Sequence, residues 1–102
     1  MGYKRFKVSR KVENDATPLI ATALQYEPEK DGAPRVIASG QRKIAEQILA
    51  EANKHGIPIY EDWGLTAALG SVNVGEEIPQ ELYNVVAEVL AYIYRVTNKY
   101  SK

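Results

Sequence analysis

Arg35-Val-Ile-Ala-Ser-Gly-Gln-Arg-Lys-Ile-Ala-Glu-Gln-Ile-Leu-Ala-Glu-Ala-Asn-Lys-His-Gly-Ile-Pro-Ile-Tyr60 reads as strand, amphipathic helix and strand in one run. Arg35 to Ala38 is short, apolar and β-branched, which suits a strand. Ile44, Ala45, Ile48, Leu49 and Ala52 recur at helical spacing, while Gln41, Arg42, Lys43, Glu46, Gln47 and Glu51 fill the opposite face. Ser39 is the predicted N-cap, offering its hydroxyl to a free N–H of the first turn. Gly56 is placed to end the helix in the left-handed region, with Lys54 and His55 beside the negative helix end. Ile57 to Tyr60 then returns as a strand. Pro58 cannot donate to a ladder, so this strand lies at an edge or begins at the proline. A strand–helix–strand unit of this length predicts a right-handed crossover between strands of the same direction.

Upstream, Pro18 to Tyr26 is an apolar run of strand length, diluted by two alanines. Glu27 to Pro34 holds two prolines and Asp31-Gly32, which is turn chemistry. Downstream, Asp62 caps a short predicted helix over 63–69. Gly70 to Gly75 is loop, with an extended piece at Ser71-Val-Asn-Val74. The last helix is predicted to start at Pro79, where a missing N–H costs nothing. Leu82, Val85, Val86, Val89, Leu90, Ile93 and Val96 give it a core-facing stripe. Tyr83, Tyr92 and Tyr94 lie at or off that stripe, as core-edge residues or as part of a partner surface. The order predicts an α/β fold: a small single-domain sandwich, its three- to four-stranded mixed sheet packed by three to four helices.

At 102 residues the chain is one domain's worth. Thirteen basic and thirteen acidic residues cancel, which argues against nucleic-acid binding. There is no Cys, hence no disulfide and no thiolate nucleophile. The start, Met-Gly-Tyr-Lys-Arg-Phe-Lys, leads into no apolar segment of a secretory signal, and no apolar run approaches the ~20 residues of a membrane span. A cytoplasmic protein is expected. Residues 1–15, with Lys4, Arg5, Lys7, Arg10 and Lys11, read as a basic lead-in, either solvated or a docking arm for an acidic surface. The domain proper is expected over 16–98, with 99–102 a tail.

No enzyme signature emerges. His55 is the only histidine, and one His without nearby ligands makes no metal cluster. Glu61 and Asp62 are adjacent acids, but the cap accounts for Asp62. Ser39 and Ser71 have no base partner in the sequence. The glycines form neither a P-loop nor a dinucleotide fingerprint, so no cofactor is expected. The alternative to a binding module is a small α/β ligand- or nucleotide-binding domain, its chemistry at the strand ends near Ser39, Gly40, Glu61 and Asp62.

Three stretches carry a resemblance that spans residues 18–96. Ala23-Leu-Gln-Tyr-Glu-Pro-Glu-Lys-Asp-Gly-Ala-Pro-Arg-Val-Ile-Ala-Ser-Gly40, His55-Gly-Ile-Pro-Ile-Tyr-Glu61 and Gly75-Glu-Glu-Ile-Pro-Gln-Glu-Leu-Tyr83 through Arg95 come in fixed order and spacing. Together they resemble the cytoplasmic domain of the FlhB/YscU export-switch family of flagellar and type III secretion systems. In particular the chain looks like soluble paralogues without the membrane domain, a counterpart of the fragment left after cleavage.

In that family an Asn-Pro-Thr-His loop precedes the first of these stretches. Its Asn cyclises to a succinimide and the chain breaks before Pro. Counted back from Tyr26, the motif falls on Ala16, Thr17, Pro18 and Leu19, so the cyclising Asn and the His are absent and no self-cleavage is expected. Asp62-Trp-Gly-Leu-Thr-Ala-Ala-Leu69 also departs from the family's Pro-Pro-Leu-Ala-Arg-Ala-Leu helix. The resemblance implies a docking module that works with export-gate membrane proteins, secreted flagellar or type III substrates, or the length-sensing partner, and reaches the membrane only through them. It also implies a small apolar pocket at Ala33, Pro34, Ala87 and Leu90. Periodicity alone assigns Leu90 to the core, and Ala33-Pro34 is also an ordinary turn.

Overall fold

The structure is a computed structural model that describes residues 4–10, 18–27, 29–30 and 32–100, with side chains described to Val96 outside the first strand. Four strands, β1 (Lys4–Arg10), β2 (Ile20–Tyr26), β3 (Arg35–Gln41) and β4 (Ile59–Glu61), form one sheet in the order β3-β2-β1-β4. β1 runs antiparallel to β2 and parallel to β4, and β2 is antiparallel to β3. The sheet is mixed, as expected. The helices are α1 (Lys43–Lys54), α2 (Trp63–Leu69) and α3 (Tyr83–Tyr100), the last entered through a 3-10 turn at Gln80–Leu82.

β1 corrects the reading of the amino-terminal segment as a lead-in. Lys4–Arg10 is an interior strand with a hydrogen-bonded neighbour on each side. Its charged residues have low strand propensity, but propensity is a weak prior once two ladders hold a backbone. Strands therefore stand on both sides of residues 16–19, β1 before them and β2 after. Ala16 and Thr17 lie outside the described residues, as do 11–15 and 101–102. Pro18 and Leu19 are half-buried just ahead of β2.

β3 and β4 point the same way, as the crossover predicts, yet they stand on opposite edges with β2 and β1 between them. β3 also runs further than its apolar core suggests, through Gly40 to Gln41. Ser39 is therefore a strand residue and no helix cap. Its hydroxyl lies 3.4 Å from that of buried Thr22 across the ladder. α1 begins instead after Arg42, whose φ of 55° and ψ of −118° turn the chain without a side-chain cap. Gly40 sits against this turn, where a Cβ would overlap the Ile44 side chain. At the other end Gly56 adopts φ 67°, a left-handed position that costs glycine little.

The two sheet faces pack differently. On one, Ala21 and Ala23 of β2 meet Ala45 and Ile48 of α1. On the other, Leu24 and Val36 meet Leu65 and Leu69 of α2 and Val86 and Val89 of α3. The alanines of β2, which weaken it as a strand in isolation, are the surface that lets α1 approach closely. A bulge at Ile37 shifts the register between Ala23↔Ala38 and Leu24↔Val36, and each pair faces its own cluster.

α2 starts as predicted: Asp62 Oδ1 accepts the Leu65 N–H at 3.1 Å, and the buried Thr66 hydroxyl donates to Asp62 O at 2.8 Å. The segment 71–76 is turn and bend rather than an extended piece. The α3 stripe is narrower than its periodicity suggests. Val86 and Val89 are buried and Leu82, Leu90 and Ile93 pack beside them, whereas Val85 and Val96 are about two-fifths exposed. A helix on one sheet face buries only the part of its stripe that meets the strands.

Candidate functional site

The turn before β3 and the amino-terminal half of α3 are held together by a short backbone ladder. Val36 N–H donates to Glu76 O at 2.9 Å, Gly75 N–H to Val36 O at 2.7 Å, and Ile78 N–H to Pro34 O at 2.9 Å. Arg35 reinforces it, donating from Nη1 to Gly75 O at 2.7 Å and pairing through Nη2 with Glu77 at 3.5 Å. Gly75 takes φ 98°, where a side chain would be strained. The chain then passes Pro79, which ends the ladder because it has no N–H, and α3 leaves with its direction set by these bonds.

Tyr83, Ala87 and Leu90 follow at i, i+4 and i+7, so one side of α3 faces the turn. Between them and the turn lies a pocket of about 180 Å³, lined by Tyr26, Gly32, Ala33, Pro34, Tyr83, Ala87 and Leu90. All four residues of the implied pocket are thus together on one wall-and-floor arrangement. Ala33 and Pro34 are buried, Leu90 is half-buried, and Ala87 is exposed. Leu90 serves both readings, packing against the core and lining the pocket. Tyr26, Gly32 and Tyr83 were not singled out for this site by the sequence. For Tyr83 the signal existed, since it shares the helical spacing of Ala87 and Leu90.

The pocket is smaller than the roughly 300–1,000 Å³ of small-molecule sites and fits a single apolar side chain. Among the described residues that line it there is no carboxylate, ammonium or imidazole, and the polar side-chain groups are the phenols of Tyr26 and Tyr83.

The strand-end alternative does not assemble. Ser39 and Glu61 sit on the two edge strands, three strand spacings or roughly 14 Å apart. Ser39 and Gly40 line a separate hollow of about 470 Å³ with Ile20, Gln41, Thr66, Ala67, Gly70 and Ser71, and among the described residues no titratable side chain lines it. Ser71 spends its hydroxyl on Ala68 O at 3.0 Å, and Asp62 is occupied by its cap. His55 pairs with Glu51 at 3.2 Å in the exposed last turn of α1. Among the described residues no His/Cys/Asp/Glu group could hold a metal ion, and no helix is long and apolar enough to cross a membrane.

A mixed four-stranded sheet with helices on both faces and an apolar notch beside its last helix makes this a small α/β domain. The fold is that of the FlhB cytoplasmic domain of Shewanella putrefaciens, with a TM-score of 0.80 and 27% identity over 92% of this chain and 72% of that one. A mutated EscU C-terminal domain matches with a TM-score of 0.70 and 29% identity, covering 83% and 81%. The model of the FlhB HrpN YscU SpaS family matches residues 18–93. The chain belongs to this family. YlqH of Bacillus subtilis is 45% identical over 76 residues, which are 74% of this chain and 82% of YlqH. The flagellar biosynthetic protein FlhB of Aquifex aeolicus is also 45% identical, over 72% of this chain, but those residues are only 21% of FlhB.

Proposed function

We propose that this chain is a non-enzymatic docking module acting with the flagellar or type III protein export apparatus. The observation that carries the reading is the meeting of Ala33, Pro34, Ala87 and Leu90, from two distant segments, in a pocket sized for one apolar side chain. The names of its relatives point the same way: flagellar biosynthetic protein FlhB and the hypersensitivity response secretion protein HrcU. The partners are export-gate membrane proteins, secreted subunits, or both, and the site of action is the cytoplasmic side of the membrane that holds them.

The module works without self-cleavage. With Ala16 at the position of the cyclising Asn there is no side-chain amide to attack the backbone, so the Ala16–Thr17 peptide bond has no such nucleophile. Intact-mass analysis after prolonged incubation should return one species. Two fragments split between Ala16 and Thr17 would overturn this part of the reading.

Affinity capture from native lysate tests the docking role, with the tagged chain run beside its Ala87→Glu variant. Ala87 is exposed, so the variant should fold while placing a charge in the apolar notch. Export-gate proteins or secreted subunits should be recovered by the chain and lost with the variant. Recovery of neither class, or equal recovery by both baits, would sink the proposal.

A further inference from the structure

The chain is neutral overall, yet its charges are segregated around the pocket. The described residues of the two segments that wall it, 26–27, 29–30, 32–34 and 76–90, carry six of the thirteen acidic residues and one of the thirteen basic ones, Lys30. Between residues 76 and 90 there are four glutamates and no lysine or arginine. Arg35 neutralises Glu77. Glu29, Glu76, Glu81 and Glu88 are exposed and make no side-chain ion pair among the described residues.

Helix stability explains only part of this. Glu81 lies in the first turn leading into α3, where it complements the positive helix end. Glu88 is in mid-helix, with Asn84, Val85, Ala91 and Tyr92 at its helical neighbours and no cation among them. It directly follows Ala87, a lining residue, and Glu81 lies within one turn of Tyr83, another. Carboxylates on the segments that wall the notch attract a cationic segment docked there, with a screening length of about 10 Å at 0.1 M salt.

We infer that the pocket takes its apolar anchor from a positively charged segment, a single aliphatic side chain flanked by lysines or arginines. This rests on the docking role proposed above and narrows it to a class of partner segment. The apolar notch sets the anchor; the glutamates around it select the flanks and speed their arrival.

The test is an NMR titration of the isotope-labelled full chain with three nine-residue peptides. Each has one central leucine, flanked on both sides by two lysines, two glutamines or two glutamates. The lysine peptide should shift the amides of Ala33, Tyr83, Ala87 and Leu90 and bind about five- to tenfold tighter than the glutamine peptide, with the glutamate peptide weakest. Raising salt from about 0.02 to about 0.3 M should bring the lysine and glutamine peptides together. The double variant Glu81→Gln/Glu88→Gln should do the same at low salt and leave the glutamine peptide's affinity unchanged. Equal binding of the lysine and glutamine peptides at the pocket would overturn the inference and leave the docking site standing. Lysine-peptide shifts confined to other surfaces would also overturn it. If no peptide perturbs the pocket amides, both readings fall.

Discussion

The two faces of the sheet solve the same packing problem with opposite materials. Under α1 the contact is made by Ala21, Ala23 and Ala45 with Ile48. Under α2 and α3 it is made by Leu24, Val36, Leu65, Leu69, Val86 and Val89. The alanine face gains by close approach of α1 to β2, and toward β3 it leaves an open apolar hollow of about 230 Å³ beside Ala38, Ile44 and Ile48. The leucine and valine face gains by bulk, and a sheet cannot end such a layer flush. Where the bulk runs out, between the turn at Ala33-Pro34 and the outer side of α3, the notch remains. The candidate site thus lies where the larger face terminates.

If that contrast is right, truncation should hurt the bulky face most. Leu69 is fully buried there, and Leu69→Ala should cost about 2–5 kcal/mol in chemical denaturation. A cost below about 1 kcal/mol would mean that this face is loosely packed. The alanine face should fail in the other direction. Ala45 is fully buried, and Ala45→Leu should cost about 1–3 kcal/mol by forcing α1 away from β2. A neutral outcome would show slack where close contact is argued.

The link between the faces gives a smaller effect of opposite sign. Arg42 holds φ 55° at the turn from β3 into α1, a region that favours glycine. Arg42→Gly should raise stability by about 1 kcal/mol, the scale of such backbone strain, and a loss would show that the Arg42 side chain matters more than its backbone. Smallest of all, Ala87→Glu should change stability by no more than about 0.5 kcal/mol, because the position is exposed. A large loss there would make the notch part of the core and remove it as a docking site.

Each well-read element carried its own local signal. The stripe Ala45, Ile48, Ala52 and the glycine at 56 define α1, and Asp62 before an apolar run defines α2. The core of α3 is equally plain, although its first turn is 3-10 and its stripe is narrower than its spacing. Ser39 was misread because a hydroxyl before a helix is a cap only if the strand has already ended, and pairing with β2 carries β3 to Gln41. Of the site, periodicity alone reached only Leu90, and then as core. The four implied residues came from likeness to a family, and Tyr26 and Tyr83 from the folded chain.

By itself the sequence determined the α/β class, the crossover and the helices. These follow from periodicity, capping and side-chain identity, all local quantities. Tertiary structure alone decided that Lys4–Arg10 is an interior strand, that β3 and β4 stand at opposite edges, and that the turn meets α3 to leave a notch. Those depend on which distant segments share hydrogen bonds. A basic strand between two ladders looks, in one dimension, no different from a solvated arm.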